Sequence, residues 1–217
     1  MSGQAIKIRS QAAAANEGAS ARDARREAIL DVARDVFLDE GYAAASMSTI
    51  AARLGGSKGT LYNYFRSKDE LFAAYVRRHC DTLQERMFAL LVQGDTRQAL
   101  LRLGRSYLEI VLSDEIQAHF RMIVAEAKRN PMVARIFYES GPLVGTQRLA
   151  DFLAEEMAAG RLKQADPLRA AHHFFALCQN WWTKARLCNY LPEPSAAEIE
   201  EEVEAAVDIF LAAYGAS

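Results

Sequence analysis

Residues 46–68 read SMSTIAARLGGSKGTLYNYFRSK. Two short helices framed by serines and joined through Gly55-Gly56 are written into this stretch, and neither is long enough to bury a core of its own. Ser46 is placed to cap the first helix, Met47 and Ile50 supply its apolar contacts, Gly55 and Gly56 allow the turn, and Ser57 is placed to cap the second. Leu61 and Phe65 recur four residues apart as a buried seam, which leaves Lys58, Thr60, Tyr62 and Asn63 for an exposed face. Two capped helices around a tight turn form the layout of a helix-turn-helix, whose second helix reads the major groove of DNA.

Working outward, the pattern is helical throughout. Ile29, Leu30, Ala33, Val36 and Phe37 share one face of a helix over 22–40, and Gly41 follows where a left-handed C-cap sits. Ser67 to Glu70 reads as a capping box opening a long helix to about Val92. Further start signals predict helices over 95–112, 113–130, 142–160, 167–190 and 195–214, with a shorter piece over 132–139 after Pro131. No segment reads as a strand, and no internal repeat is present. The expected fold is all-α, with an N-terminal three-helix helix-turn-helix domain at 22–68 and a C-terminal helical-bundle domain for effector binding and dimerisation at 69–217. Residues 1–21, small and polar, are expected as a flexible N-terminal arm, either a solubilising tail or a segment whose Lys7 and Arg9 reach along a DNA groove.

Composition narrows the function classes. The chain has 217 residues, 51% hydrophobic and 25% charged, which suits a globular protein with a substantial core. Its net charge of −2 argues against a protein that coats nucleic acid along its whole surface. The charge is uneven, however: residues 1–68 carry a net +3 and residues 69–217 a net −5, so one end favours DNA and the other repels it. Cys80, Cys178 and Cys188 are odd in number and widely spaced, which predicts neither a disulfide framework nor a zinc knuckle. No signal-peptide core and no apolar run of roughly 18 residues is found, so a cytoplasmic protein without membrane contact is expected.

The segment from about Arg25 to Val76, above all SKGTLYNYFRSKDELF, resembles the amino-terminal domain of TetR/AcrR-type transcriptional regulators. RMIVAEAKRNPMVARIFYESGP, with the later Gly-Arg-Leu and Asp-Pro, resembles the regulatory half of the AefR-like subgroup. Gly56 departs from the pattern, standing where an apolar residue, usually Val, packs in the turn. The resemblance implies a DNA-binding regulator, a repressor, acting on a double-stranded operator. It supports the same DNA-binding positions as the residues themselves: Ser46, Ser48, Thr49, Tyr64 and Lys68 at or beside helix starts as phosphate contacts, and Ser57, Lys58, Gly59, Thr60, Tyr62 and Asn63 on the reading helix. It also implies a small-molecule cavity among the helices from about 68 to 190, for an effector that the sequence does not name. Tyr107, His119, Phe120, Met122, Phe174 and Trp181 are the candidates to line it.

One such reader covers few base pairs, so a homodimer on a palindromic site is expected, with half-sites roughly 34 Å or a multiple apart. The dimer surface is expected on the last helix pair, through Phe175, Cys178, Trp182, Val203, Val207, Phe210 and Tyr214, because a helix apolar on both sides needs cover on both. No metal and no cofactor is assigned, since His172 and His173 diverge by about 100° on a helix and Cys178 completes no motif. No phosphate loop, Gly-x-Ser-x-Gly elbow or His-Glu-x-x-His sequence occurs, so no enzyme activity is expected. The alternative function is a helical protein-interaction adaptor without sequence-specific DNA binding.

Overall fold

The computed structural model describes the backbone of residues 2–89, 91 and 95–216, with side chains from residue 20 onward. Among the described residues there are eleven helices and no strand; an isolated bridge joins Leu162 and Gly215. The fold is all-α and divides into two compact units, residues 1–75 and 76–217.

The first unit holds α1 (Ser2–Ala44), α2 (Met47–Arg53), α3 (Lys58–Tyr62) and the first turns of α4 (Lys68–Phe88). The helical course of α1 breaks at Gly41, with φ 78°, a conformation that carries a steric penalty for any residue with a Cβ. Ile29, Leu30, Ala33, Val36 and Phe37 are all buried, which bears out the predicted face. Phe37 meets Phe72 edge-on at 5.1 Å between ring centres, and Tyr42 meets Phe72 at 4.9 Å. Such aromatic pairs add to simple area burial. Because Phe72 and Tyr75 belong to this core, the unit extends to Tyr75, past the boundary expected at Lys68. The cap at the start of α4 is shifted: Glu70 N donates to Ser67 Oγ at 3.1 Å, but the Glu70 carboxylate accepts from Arg66 N, one residue before the position of a capping box.

The expected arm takes a different form. The backbone of residues 2–21 is helical and continuous with α1, in keeping with the helix propensity of its alanines. The side chains of Lys7 and Arg9 lie outside the described residues, as does the expected helix end at Val92.

The second unit continues α4 and adds α5 (Thr96–Val111), α6 (Asp114–Ala127), α7 (Pro131–Ser140), α8 (Pro142–Ala158), α9 (Pro167–Gln179), α10 (Trp182–Leu187) and α11 (Ala196–Tyr214). Asp95, Ser113 and Asp166 cap their helices through side-chain oxygens, and Ser195 with Glu198 forms a complete capping box. Leu100, Leu103, Leu108, Phe174, Val203 and Phe210 belong to one core cluster. Gly104 lets α5 and α11 close up, for a Cβ there would lie 2.7 Å from Val203 Cγ1. Arg186 is buried, yet its guanidinium meets the carbonyl oxygens of Leu112 and Leu191 and the carboxylate of Asp114, which satisfies the end of α5.

One expected helix is two. The stretch 167–190 divides at Asn180, whose φ of 38° interrupts the run, and the Asn180 amide donates to Glu202 at 3.0 Å. Asn tolerates positive φ better than most residues, so the break falls where the chain can accommodate it.

Candidate nucleic-acid interface and effector cavity

In the first unit, Ser46 Oγ accepts from Thr49 N and Ser57 Oγ accepts from Thr60 N, each at 3.1 Å. Each serine hydroxyl also lies 2.9 Å from the corresponding threonine hydroxyl. Gly55 takes φ 69° in the turn, and Leu61 and Phe65 are buried as the seam. Helix α3 is thereby seated by its inner side. Ser48, Ser57, Lys58, Gly59, Tyr62 and Asn63 are exposed, Tyr62 at 46%, while Ser46, Thr49, Thr60 and Tyr64 are partly covered. The Arg22 guanidinium lies over the Tyr64 ring, 5.9 Å from its centre.

Lys68 is placed differently from the phosphate contact expected of it. Its ammonium donates to the main-chain oxygens of Tyr42, Ala43 and Ala45 at 2.7, 3.3 and 3.0 Å, and lies over the Tyr42 ring. An ammonium has three N–H groups, and three carbonyls account for them. Tyr42 in turn donates its hydroxyl to Asp69. Lys68 therefore satisfies the chain between α1 and α2 instead of facing outward.

The second unit contains a cavity of about 470 Å³ bordered by residues of α4 to α10. Tyr107 and Phe120 line it, as two of the six expected candidates. The other four do not. His119 sits against His79, Phe174 is in the core against Phe210, and Trp181 is 49% exposed and stacked on Trp182, while Met122 is half-buried away from the lining. Neither the bulk nor the polarisability of a side chain tells which way it turns.

The lining residues missed in the sequence include Cys80, Gln84, Gln117, Phe137, Phe175 and Thr183. Among the described residues that line the cavity there is no Asp, Glu, Lys or Arg, and one histidine, His172. Gln84 donates its amide to the Gly141 carbonyl at 2.9 Å, and Gln117 donates to the Val111 carbonyl at 2.7 Å. Each amide is thereby oriented, and among the described residues the buried Gln84 Oε1, Gln117 Oε1 and Thr183 Oγ1 have no hydrogen-bond partner. The cavity thus offers apolar walls with two amide oxygens and a hydroxyl set into them. Burial, followed by the neighbouring Asp81 carboxylate, pushes the Cys80 thiol up to about 12, so it stays protonated and weakly nucleophilic. Burial likewise raises Tyr107, whose hydroxyl is held by the Gln179 amide.

The surface expected for dimerisation is largely interior. Phe175, Cys178, Trp182, Val203 and Val207 are buried within the protomer's own core, Phe210 is its floor beneath a surface groove, and Tyr214 stands half-buried at the groove's end. The apolar stripe of α11 is consumed by α5 and α9. The outer face of α9 and α11 instead presents Ala176, Leu177, Ala205, Ala213 and Ile209, the last 57% exposed. Small residues give weak hydropathy signals, which is why this face is hard to pick out from sequence.

Residues 29–75 match the family described as bacterial regulatory proteins, tetR family, and residues 98–216, more than half the chain, match the AefR-like transcriptional repressor, C-terminal domain. The chain belongs to the tetR family of bacterial regulatory proteins. This tetR-family chain is 42% identical over 94 residues to the HTH-type transcriptional activator FasR of Mycolicibacterium smegmatis, a stretch covering 43% of each protein, so it matches less than half of that relative's length. To the HTH-type transcriptional regulator BetI of Rhizobium meliloti it is 31% identical over 156 residues, 66% of this tetR-family member and 75% of BetI. Among solved structures, the flavonoid-responsive regulator FrrA is similar with a TM-score of 0.80 and 35% identity, over 89% of this chain and 98% of FrrA. Both curated relatives are named as transcriptional regulators, one of them an activator.

Proposed function

We propose that the chain is a ligand-responsive DNA-binding repressor that grips a palindromic operator as a homodimer, and that it has no catalytic role. The observation that carries this reading is the seating of α3: Leu61 and Phe65 are buried while Lys58, Gly59, Tyr62 and Asn63 stand exposed on the doubly capped turn. Lys58 supplies charge for phosphate or guanine, Asn63 and Tyr62 supply hydrogen bonds, and Gly59 permits close approach. Dimerisation proceeds through the outer face of α9 and α11, where alanines let helices approach and Ile209 supplies apolar area. A cytoplasmic site of action belongs to the same proposal; among the described residues no helix is long and apolar enough to cross a membrane.

The cavity is the effector site. Its apolar walls, the lack of Asp, Glu, Lys and Arg among the described residues that line it, and its three unsatisfied oxygen atoms favour an uncharged, largely apolar molecule bearing hydroxyl donors. FrrA, 35% identical, is named a flavonoid-responsive regulator, which supports a polyphenol as the member of that class. Helix α4 carries residues of both units, Phe72 in the first core and Gln84 at the cavity, so a ligand that shifts α4 alters the spacing of paired readers. A coupling of about 1–3 kcal/mol changes operator affinity some 5- to 150-fold.

A mobility-shift experiment with genomic fragments, including the chain's own upstream region, tests the reading. Sequence-specific retention that a polyhydroxyflavone relieves, and that its fully O-methylated analogue leaves intact, is the expected result. A folded protein that retains no fragment is instead an adaptor.

A further inference from the structure

We infer that His79, Glu115 and His119 form a binding site for a divalent transition-metal ion of the zinc class. Each residue offers one ligand atom, and the three atoms lie within 4.8 Å of one another. Helix geometry explains half of the arrangement: Glu115 and His119 are four residues apart on α6 and so share a face. The remainder comes from α4, whose His79 ring lies nearly parallel to that of His119, at 20° with centres 4.7 Å apart.

The state of His119 suits ligation. Its Nδ1 is 2.7 Å from the main-chain oxygen of Glu115. A carbonyl oxygen only accepts, so Nδ1 is the donor and Nε2 is the nitrogen that would ligate. A ligating histidine is commonly oriented in this way, by donation from its other nitrogen to a carbonyl. Zinc bonds of 2.0–2.1 Å in tetrahedral geometry put donor atoms roughly 3.4 Å apart, so atoms within 4.8 Å of one another need to converge by at most about 1.4 Å. Glu115 is exposed and able to swing inward, while His119 is buried and holds its place.

Two imidazoles and one carboxylate suit zinc, nickel or cobalt better than magnesium or calcium, which prefer oxygen ligands throughout. Three protein ligands leave room for water in the coordination shell. None of the three residues lines the effector cavity, so the site is distinct from it. An ion held there would join the second half of α4 to α6, two elements that both contribute walls to that cavity.

Zinc titration of the chelator-treated full-length protein by calorimetry, with cobalt absorption as a second readout, decides the matter. One ion per protomer is expected. Glu115→Gln should weaken zinc binding at least tenfold and remove the cobalt spectrum of the three-ligand site, with little change in the melting temperature of the metal-free protein because the residue is exposed. The chain has four histidines. Converting the remaining pair, His172→Gln with His173→Gln, should leave binding intact. Absence of stoichiometric uptake, equal affinity in the Glu115→Gln variant, or loss of binding in the His172/His173 variant would each overturn the assignment.

Discussion

The Lys68 ammonium lies 2.7 Å from the main-chain oxygen of Tyr42 and 4.4 Å from the centre of the Tyr42 ring. A basic side chain beside the reader is thus occupied in closing the corner between α1 and α2. Lys68→Met keeps the aliphatic stem and removes the donors. It should lower the stability of the first unit by about 1.5–3 kcal/mol, the range for hydrogen bonds to charged groups. Denaturant unfolding checks this, and the salt dependence of operator binding should be unchanged.

Lys58 gives the contrasting case. It is exposed at the start of α3, and Lys58→Ala should weaken binding to all sequences and reduce the salt slope by about 0.9 for one lost phosphate contact. Asn63→Ala should instead alter discrimination between operators by roughly 1–3 kcal/mol if the amide reaches a base edge. Anisotropy titrations at several salt concentrations separate the two outcomes.

The two glycines of the turn should respond in opposite directions. Gly55 has φ 69°, so Gly55→Ala forces a left-handed conformation on a residue with a Cβ and should cost about 1–2 kcal/mol. Gly56 is not in that region, and a Cβ there would meet only the tip of Arg25 at 3.4 Å and Leu54 at 3.9 Å. Gly56→Ala should therefore stabilise by about 0.4–1 kcal/mol through the unfolded chain. Thermal melts of both variants check the signs.

Ile209 should control assembly. Ile209→Glu places a charge on the exposed face of α9 and α11 without entering the core, and should shift the protein toward monomer in analytical ultracentrifugation. Operator affinity should fall with it, while the helical circular dichroism spectrum stays unchanged.

Glu156 ties stability to pH. Arg161 grips both carboxylate oxygens, at 2.6 and 2.8 Å, and Thr96 donates to one of them. The arginine chiefly, then the threonine, hold the acid below its ordinary value of 4.5 against the opposing effect of burial. A depressed folded pKa gives stability that is present above the unfolded value and is lost as pH falls through the folded one. Glu156→Gln should thus be less stable than the parent at neutral pH, and the gap should narrow as pH drops below 4.5. Urea unfolding at neutral and acidic pH measures it.

What the amino-acid order determined by itself were the helix starts, the turn and the family. The Ser46, Ser57, Asp95, Asp166 and Ser195 caps act over two or three residues, and Gly55 acts through its own dihedral angles, so local reading is sufficient for them. Tertiary packing alone decided which surfaces those helices spend on each other. The stripe of Val203, Val207 and Phe210 is equally suited to a partner or to the chain's own α5 and α9, and only the assembled bundle turned it inward. Lys68 finds its carbonyls 23 to 26 residues away, His79 meets His119 across 40, and Gln84 and Thr183 face one cavity from helices a hundred residues apart. A helix period names a face, but not the neighbour that covers it, because that choice is made by the free energy of the whole packed bundle.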